Sequence, residues 1–124
     1  MILVRTKLDK SSIAGIGLFA DEAIKAGTVV WKFQPKLDLL LAKDEVDELS
    51  DAAKEQFLNY AYFDESYGKY VLCGDDSRFF NHSDDPNCAN GDGSEDTTVA
   101  VRYIEKGEEL TCNYKTFYRD FHLG

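Results

Sequence analysis

Residues 78–87 read Arg-Phe-Phe-Asn-His-Ser-Asp-Asp-Pro-Asn and are the most informative stretch for the fold. Two aromatic residues run directly into Asn81-His82-Ser83, and a Pro-Asn turn follows. Because Pro and Asn favour turns, we predict a core-anchored strand that delivers several hydrogen-bonding side chains to one point. Such a cluster suits a polar ligand. Taken alone, it is more typical of a turn whose Asn and His side chains satisfy nearby backbone groups.

Short apolar or β-branched runs, bounded by Gly, Asp, Asn or Pro, flank this stretch on both sides and predict strands. They cover residues 2–8, 28–33, 69–73, 97–104 and 109–113. Residues 90–97 are rich in Gly and acidic side chains, which indicates an exposed hairpin tip. The pattern predicts a compact, mostly antiparallel β domain.

One stretch has helical character. Ser50 is a favourable N-cap for a helix from Asp51 to about Tyr62. The residues predicted to share its apolar stripe are Ala53, Phe57, Tyr60 and Ala61. An acidic turn of helix over residues 43–49 precedes it, so the β domain carries one substantial helical insertion.

Length and composition favour one domain over residues 1–124 without a membrane span. The chain has 124 residues and 44% hydrophobic content, and no apolar run approaches the roughly 20 residues that a span needs. Residues 1–5 read as a short strand and lack the features of a signal peptide. We therefore expect a cytoplasmic or nuclear protein, a host cell's nucleus included.

The net charge of −9 bears on the partners. Phosphate backbones should be repelled, so we expect no direct binding of nucleic acid. An acidic surface is often only a solubilising one, and it is also compatible with attraction of a Lys- and Arg-rich peptide.

The cysteines predict neither a disulfide framework nor a metal site. Cys73, Cys88 and Cys112 are odd in number and form no C-x-x-C pair, which argues against a self-contained zinc site. We expect reduced thiols, most of them small core residues.

Two further segments carry weaker signals of their own. Gly15-Ile16-Gly17 predicts a backbone tight enough for close approach of a ligand, although a glycine-rich turn between strands is the simpler interpretation. Residues 107–114 read Gly-Glu-Glu-Leu-Thr-Cys-Asn-Tyr, a turn, a strand and then a tyrosine. Tyr114 by itself is typical of a half-buried core aromatic.

Together, and in this order, these segments resemble the SET domain of protein lysine methyltransferases. The resemblance rests on Gly-Ile-Gly-Leu-Phe-Ala at residues 15–20, residues 24–27, Arg-Phe-Phe-Asn-His-Ser-x-x-Pro-Asn, and Gly-Glu-Glu-Leu-Thr-x-x-Tyr. It extends from about Ile2 to Tyr118. It implies a β-clip-like fold of several small antiparallel sheets, with a C-terminal pseudoknot that brings the Asn-His-Ser and Glu-Leu-x-x-x-Tyr segments side by side.

The resemblance also implies the site and its cofactor, S-adenosylmethionine. The backbone of Gly15, Ile16 and Gly17 would contact the cofactor, and Asn81 and His82 would hold its amino-acid and adenine portions. The catalytic tyrosine, Tyr114, would stand where the methyl donor meets the lysine channel. Phe117 or Tyr118 would cover the adenine. The aromatics available to line the channel are Tyr60, Tyr62 and Phe121, and for each of them core packing is the simpler role.

The sequence departs from many relatives at two places. Residues 115–124 contain no cysteine, whereas many SET enzymes bind zinc there and complete the lysine channel with that segment. The lysine channel would then be closed by these ten residues, by a second subunit in a homodimer, or not at all. A SET protein this small resembles the viral and bacterial members that lack the flanking modules. Cys112 stands where many relatives have a Phe or Tyr that limits the methyl count, so the channel has room for more than one methyl.

The resemblance implies two alternative functions, and a third alternative is independent of the resemblance. The first is an active methyltransferase acting on a basic protein or peptide such as a histone tail. The second is a catalytically weak binding module for a lysine-containing peptide or the cofactor, against which intact Asn81, His82 and Tyr114 argue. A purely structural β domain would leave the three co-placed motifs unexplained.

Overall fold

The computed structural model describes residues 1–65, 67–91 and 94–114, and strands make up most of its regular structure. The strands are β1 Thr6–Lys10, β2 Ile16–Ala20, β3 Val29–Lys32, β4 Leu39–Leu41, β5 Tyr62–Asp64, β6 Lys69–Leu72, β7 Asn81–His82, β8 Cys88–Gly91, β9 Ser94–Ala100 and β10 Thr111–Cys112. The helices are α1 Lys43–Asp47, α2 Asp51–Tyr60 and a 3₁₀ turn, Asp76–Phe79. In the described part, no helix is both long and apolar enough to cross a membrane.

The strands form four small sheets. β1 pairs with β2, β9 lies between β3 and β8, and β6 lies between β4 and β5, all antiparallel. The fourth sheet pairs β7 with β10, and these two strands run parallel. The expected fold of several small, mostly antiparallel sheets is thus confirmed, and β8 and β9 form the predicted hairpin around residues 90–97.

Several predicted strand boundaries were wrong, because one apolar run serves two partners. In the run 2–8, Ile2 bridges Trp31 while Thr6–Lys10 pairs with β2, so the strand is split. In the run 97–104, β9 ends at Ala100, and Ile104 forms a separate bridge to Ile24. Hydrophobic patterning detects apolar residues but does not tell which neighbour they pair with.

The segment before Asn81 is also different from the prediction. It is a 3₁₀ turn rather than a strand, and the Asp75 side chain caps it by accepting a hydrogen bond from the Ser77 N–H at 3.0 Å. A capping Asp ahead of a short turn competes locally with extended backbone. The strand that follows, β7, has only two residues.

The main core lies between the sheets. Its buried members are Leu18, Ala20, Ile24, Val30, Trp31, Cys73, Cys88, Ala100, Ile104 and Leu110. All three cysteines are buried free thiols, as predicted. Most of these residues come from strand faces that the sequence pattern marks as apolar.

The helical insertion, residues 43–60, packs on a separate and smaller core. This insertion cluster consists of Val46, Phe57 and Ala61, and Tyr70 of β6 meets Phe57 edge to face at 6.2 Å. The predicted cap is confirmed, since the Ser50 Oγ accepts a hydrogen bond from the Ala53 N–H at 3.2 Å. Ala53 itself is exposed rather than part of the apolar stripe.

The helix ends at Tyr60, two residues before the predicted end, and Tyr62 belongs to β5. Tyr62 stands opposite Val71 of the neighbouring strand. Aromatic and β-branched residues favour strands, and pairing with β6 therefore prevails over continuation of the helix.

Candidate active site

The two motifs predicted to meet do lie side by side. Asn81 stands opposite Thr111 and His82 opposite Cys112 in the parallel pair of β7 and β10. The Ser83 N–H continues the ladder by donating to the Cys112 carbonyl at 3.0 Å. Residues about thirty positions apart in the sequence are thereby held at adjacent positions.

Asn87 fixes the segment that leads into β10. Its Nδ2 donates to the Glu109 carbonyl at 2.8 Å, and its Oδ1 accepts from the Thr111 N–H at 2.9 Å. The Asn87 N–H donates to Thr111 Oγ1 at 3.2 Å. Asn87 is only 2% exposed, and a buried amide with all these partners holds the two chain segments in one register.

Tyr114 follows β10 directly and is held at both ends. Its backbone N–H donates to His82 Nδ1 at 3.0 Å, and its hydroxyl donates to the Phe80 carbonyl at 2.5 Å. Burial raises the pKa of the phenol well above its ordinary value, and the nearby Cys112 and Glu109 side chains add to the increase. The hydroxyl is therefore neutral across the physiological pH range.

The side chains of Asn81 and His82 point to different neighbours. Asn81 Nδ2 contacts the Ala14 carbonyl at 3.1 Å and the Ile16 carbonyl at 3.4 Å. The His82 Nε2 lies 2.9 Å from Asp84 Oδ1, and the centres of the His82 and Tyr114 rings are 5.3 Å apart. Asn81 thus connects β7 to the glycine-containing turn, and His82 connects β7 to the tyrosine.

The glycine loop, residues 11–17, closes over this strand pair. Its backbone turns back on itself at Gly15, whose φ is +47°, and the Ser11 N–H donates to the Gly15 carbonyl at 2.9 Å. Positive φ favours glycine, which explains this residue type here. Among the described residues, nothing lies within 4 Å of the point that a Cβ at Gly15 would occupy, and Ile16 is 52% exposed. The loop therefore presents open backbone beside Asn81.

A pocket that is open to solvent lies beside β10, since Cys112 of that strand is part of its wall. Its walls are mostly apolar, and its lining residues are Trp31, Tyr60, Tyr62, Cys73, Ser77, Arg78, Phe80, Thr98 and Cys112. Phe80 supplies the carbonyl that accepts the Tyr114 hydroxyl. The tyrosine hydroxyl is thereby bonded to a residue of the pocket wall.

Aromatic contacts and one guanidinium hold the pocket wall. The Tyr60 ring packs edge to face on Phe79 at 5.6 Å, and the Arg78 guanidinium lies 5.7 Å from the Tyr60 ring centre. Arg78 also donates to the Cys73 carbonyl from Nε at 3.2 Å and from Nη2 at 2.9 Å. Trp31 Nε1 is buried without a hydrogen-bond partner among the described residues.

The pocket thiols are neutral. Burial raises the pKa of Cys73 to about 12 and raises that of Cys112 further. A neutral thiol is a poor nucleophile and a poor metal ligand. In the described ranges, His, Cys, Asp and Glu residues form no group of three that could hold a metal ion.

The structure brings most of the predicted site residues together in two groups. Gly15, Ile16 and Asn81 meet at the glycine loop, with Gly17 directly after them, and His82 and Tyr114 adjoin that group. Tyr60, Tyr62 and Cys112 line the pocket. Phe117, Tyr118 and Phe121, predicted for the adenine cover and the channel, lie outside the described residues.

Sequence reasoning missed several residues of these two groups. Trp31, Cys73 and Thr98 line the pocket but carry no local motif. Ser11 accepts the Ala14 N–H within the glycine loop, and Glu109 accepts the Ser11 hydroxyl at the base of that loop. Glu109 belongs to the quoted Gly-Glu-Glu-Leu segment, which was the available signal, but no pattern in the sequence indicated its contact with Ser11. Trp31 offered none, because a tryptophan within an apolar strand is an ordinary core residue.

Comparisons with known proteins agree with this arrangement. The chain is 30% identical over 111 residues to the human histone-lysine N-methyltransferase 2B, a match that covers 86% of this chain and 4% of that protein. It is 29% identical over 120 residues to the histone-lysine N-methyltransferase set1 of Dictyostelium discoideum, covering 90% of this chain and 8% of that protein. The chain thus spans less than a tenth of the length of these relatives.

A solved structure shows the same fold. The crystal structure of a Plasmodium falciparum protein assigned as a candidate histone methyltransferase superimposes with a TM-score of 0.62 at 22% identity. The match covers 91% of this chain and 95% of that one. The model of the SET domain matches residues 15–115, which include the glycine turn, both β7 and β10, and Tyr114. The chain belongs to the SET domain family.

Proposed function

We propose that this chain is a protein-lysine N-methyltransferase that uses S-adenosylmethionine and acts on a basic peptide such as a histone tail. One observation carries the proposal: Tyr114 bonds through its hydroxyl to Phe80 of the pocket wall and through its backbone N–H to His82, whose neighbour Asn81 contacts the glycine loop. A methyl transfer needs a donor site and an acceptor channel that meet at one point. The names of the similar histone-lysine N-methyltransferases support the same reaction.

The residues at the glycine loop fit the cofactor. Gly15 offers open backbone, because none of the described residues comes within 4 Å of its Cβ position. The exposed backbone of Gly15 and Ile16 would contact the cofactor, with Asn81 and His82 at its polar end and base. Both side chains are partly exposed, so they can meet a ligand. When bound, S-adenosylmethionine supplies an electrophilic methyl group on a positively charged sulfur.

The pocket would receive the lysine side chain. Tyr60 and Tyr62 provide ring faces and edges for the alkyl stem and the amine, and Cys112 forms the inner wall. A lysine amine with an ordinary pKa near 10.4 is mostly protonated in water at neutral pH. An apolar wall disfavours the charged form, so the pocket lowers the pKa of the amine and exposes its lone pair.

Tyr114 would orient that amine. Its raised pKa keeps the hydroxyl neutral, and the Phe80 carbonyl fixes the direction of its proton. The phenol oxygen then keeps its lone pairs toward the meeting point, where they can accept weak C–H hydrogen bonds from a polarised methyl group. Alignment and removal of water, rather than acid–base chemistry by the tyrosine, would supply the rate enhancement.

The net charge of the chain bears on the substrate class, and the size of Cys112 in the pocket bears on the number of methyl groups that can be added. A net charge of −9 favours a Lys- and Arg-rich partner over a nucleic acid. Such a partner is available in the nucleus or in the cytoplasm. Cys112 is smaller than an aromatic side chain and lines the pocket, so the channel accommodates an already methylated amine and more than one methyl can be added.

Transfer of a radiolabelled methyl group from S-adenosylmethionine to a mixture of core histones tests the proposal. The Tyr114→Phe variant should lose at least about 100-fold in kcat, because it removes the one oriented hydroxyl at the meeting point. Tyr103→Phe is the matched control, since Tyr103 is 52% exposed and should leave kcat unchanged.

Equal rates for wild type and Tyr114→Phe would contradict the role of the tyrosine. Calorimetric titration of the cofactor separates the remaining outcomes. Binding without transfer to any basic protein would favour a SET-fold binding module, and absence of binding would overturn the proposed function.

A further inference from the structure

We infer that Glu109 is a positioning residue that holds the glycine loop in the shape that binds the cofactor. This inference rests on the proposed function for the identity of the ligand. It concerns a carboxylate that is not among the residues lining the pocket. Glu109 contacts Ser11 and Asn81 and lies against Gly17.

The Glu109 carboxylate accepts hydrogen bonds from both sides of the loop base. The Ser11 hydroxyl lies 2.7 Å from Oε1 and 2.9 Å from Oε2, and Asn81 Nδ2 donates to Oε2 at 2.8 Å. Hydrogen bonds to a charged acceptor are stronger than those between neutral groups. One side chain thus connects the start of the loop to the strand that carries Asn81.

Each of these two partners in turn holds loop backbone. The Ser11 Oγ accepts from the Ile13 N–H at 2.9 Å and from the Ala14 N–H at 3.3 Å. Asn81 Nδ2 contacts the carbonyls of Ala14 and Ile16. Glu109 therefore fixes the Ser11 hydroxyl, which accepts from loop N–H groups, and the Asn81 amide, which contacts loop carbonyls. The shape of the loop depends on both side chains.

The end of the loop is packed against the same carboxylate. A Cβ at Gly17 would collide with Glu109 Oε2 and its carboxyl carbon. The backbone positions are fixed as well, because the Leu110 N–H donates to the Leu18 carbonyl at 2.7 Å and Glu109 bridges Phe19. The glycine at position 17 is thus explained by Glu109 rather than by backbone conformation.

Glu109→Gln tests the inference with little change of shape. The substitution replaces the charged acceptor of the Ser11 hydroxyl and Asn81 Nδ2 by a neutral amide oxygen, so the hydrogen bonds that hold the loop base become weaker. The dissociation constant of S-adenosylmethionine should rise about tenfold by calorimetry, as expected for one charge-assisted hydrogen bond. At saturating cofactor, kcat should change little, which separates positioning from catalysis.

A second readout needs no cofactor. Amide hydrogen exchange at Ile13 and Ala14 should become faster in Glu109→Gln, because the hydroxyl that accepts their N–H groups loses its fixed orientation. Glu108→Gln is the matched control: the Glu108 carboxylate bonds Arg102 at 3.1 Å and the Glu105 N–H at 2.9 Å. That variant should leave cofactor affinity and loop exchange as in wild type.

Ser11→Ala keeps the inference testable if Glu109→Gln does not fold. It removes the hydroxyl and leaves the strand contacts of Glu109 in place, and it should also weaken cofactor binding. Wild-type affinity and wild-type exchange in these variants would overturn the role of Glu109. If the wild-type protein itself bound no cofactor, the proposed function would fail instead, and loop exchange would still decide whether Glu109 holds the loop.

Discussion

The two sides of the candidate site are held by different forces. The cofactor side rests on a polar network made of Ser11, Asn81, Asn87, Glu109 and Thr111, whose members bond each other or loop backbone. The pocket side depends on the helical insertion, which packs through the insertion cluster Val46, Phe57 and Ala61. Hydrogen-bonded networks fix positions sharply, whereas a small apolar cluster tolerates adjustment.

The difference suits what the two sides would do. A cofactor of constant shape favours a loop with one geometry, and peptide substrates of varied sequence favour a wall that can shift. Tyr60 at the end of α2 belongs to that wall, while Gly15 belongs to the fixed loop. Substitutions on the two sides should therefore have separable effects on stability, cofactor affinity and lysine affinity.

The largest expected effect is on the polar network. Asn87→Ala leaves the Thr111 N–H and the Glu109 carbonyl without their buried partner. At roughly 1–3 kcal/mol for each unsatisfied group, the free energy of unfolding should fall by about 4 kcal/mol. Cofactor affinity should fall as well, because Glu109 moves with this segment. Urea denaturation and calorimetry measure the two quantities.

Asn90→Ala provides the comparison for that prediction. Asn90 lies in β8 close to Asn87, but its Oδ1 has no hydrogen-bond partner among the described residues. Its removal should cost less than about 1 kcal/mol, since no buried partner of that oxygen is left unsatisfied. Similar losses from Asn87→Ala and Asn90→Ala would mean that the network does not hold the cofactor side.

The next effect concerns the insertion cluster. Phe57→Ala should lower the free energy of unfolding by about 3 kcal/mol, because it removes a buried ring that packs on Tyr70. The KM for the lysine substrate should rise, since α2 carries Tyr60 to the pocket. Cofactor affinity should stay at the wild-type value. Phe57→Leu, which keeps most of the apolar volume, should lose much less stability.

A parallel loss of cofactor and lysine affinity in Phe57→Ala would contradict the idea that the two sides are held separately. It would show that the two sides form one cooperative unit rather than two separately held parts. Denaturant unfolding of the wild type would then give the same curve whether it is followed by fluorescence or by the circular dichroism of the helices.

The smallest effect is expected at the start of α2. Ser50→Ala removes the acceptor of the Ala53 N–H and should cost about 1 kcal/mol of stability. Cofactor affinity should not change, and the KM for lysine should rise only slightly. Ser50→Asp restores a capping oxygen and should regain most of the loss in thermal unfolding. A larger loss in Ser50→Asp than in Ser50→Ala would contradict the cap as the cause.

The sequence allowed the polar parts of the site to be predicted better than the pocket. Asn81, His82 and Tyr114 stand in motifs whose order identifies the family, and the structure brings them together. The role of Ser50 as N-cap of α2 could also be predicted, because a cap depends only on the next few residues. Predictions of this kind succeed where the determining contacts are local or where a motif is specific.

Other features depend on contacts that no single-sequence pattern contains. Trp31 of β3 and its partner Thr98 of β9 line the pocket with Cys73, which directly follows β6, and each resembles an ordinary core residue. The run 2–8 was divided between two sheets for the same reason: strand pairing is decided by tertiary structure. The role of Glu109 likewise appears only when Ser11 and Asn81 are brought to it from distant positions.

The central claim is tested most directly by mass spectrometry of basic proteins, core histones and ribosomal proteins among them, incubated with the chain and S-adenosylmethionine. The account predicts mass gains of whole methyl units on lysine, absent without cofactor and absent with Tyr114→Phe, and it predicts that some lysines gain more than one methyl. Methylation that persists in Tyr114→Phe would contradict the proposed activity. So would the absence of methylation on every lysine together with a failure of this chain to bind S-adenosylmethionine.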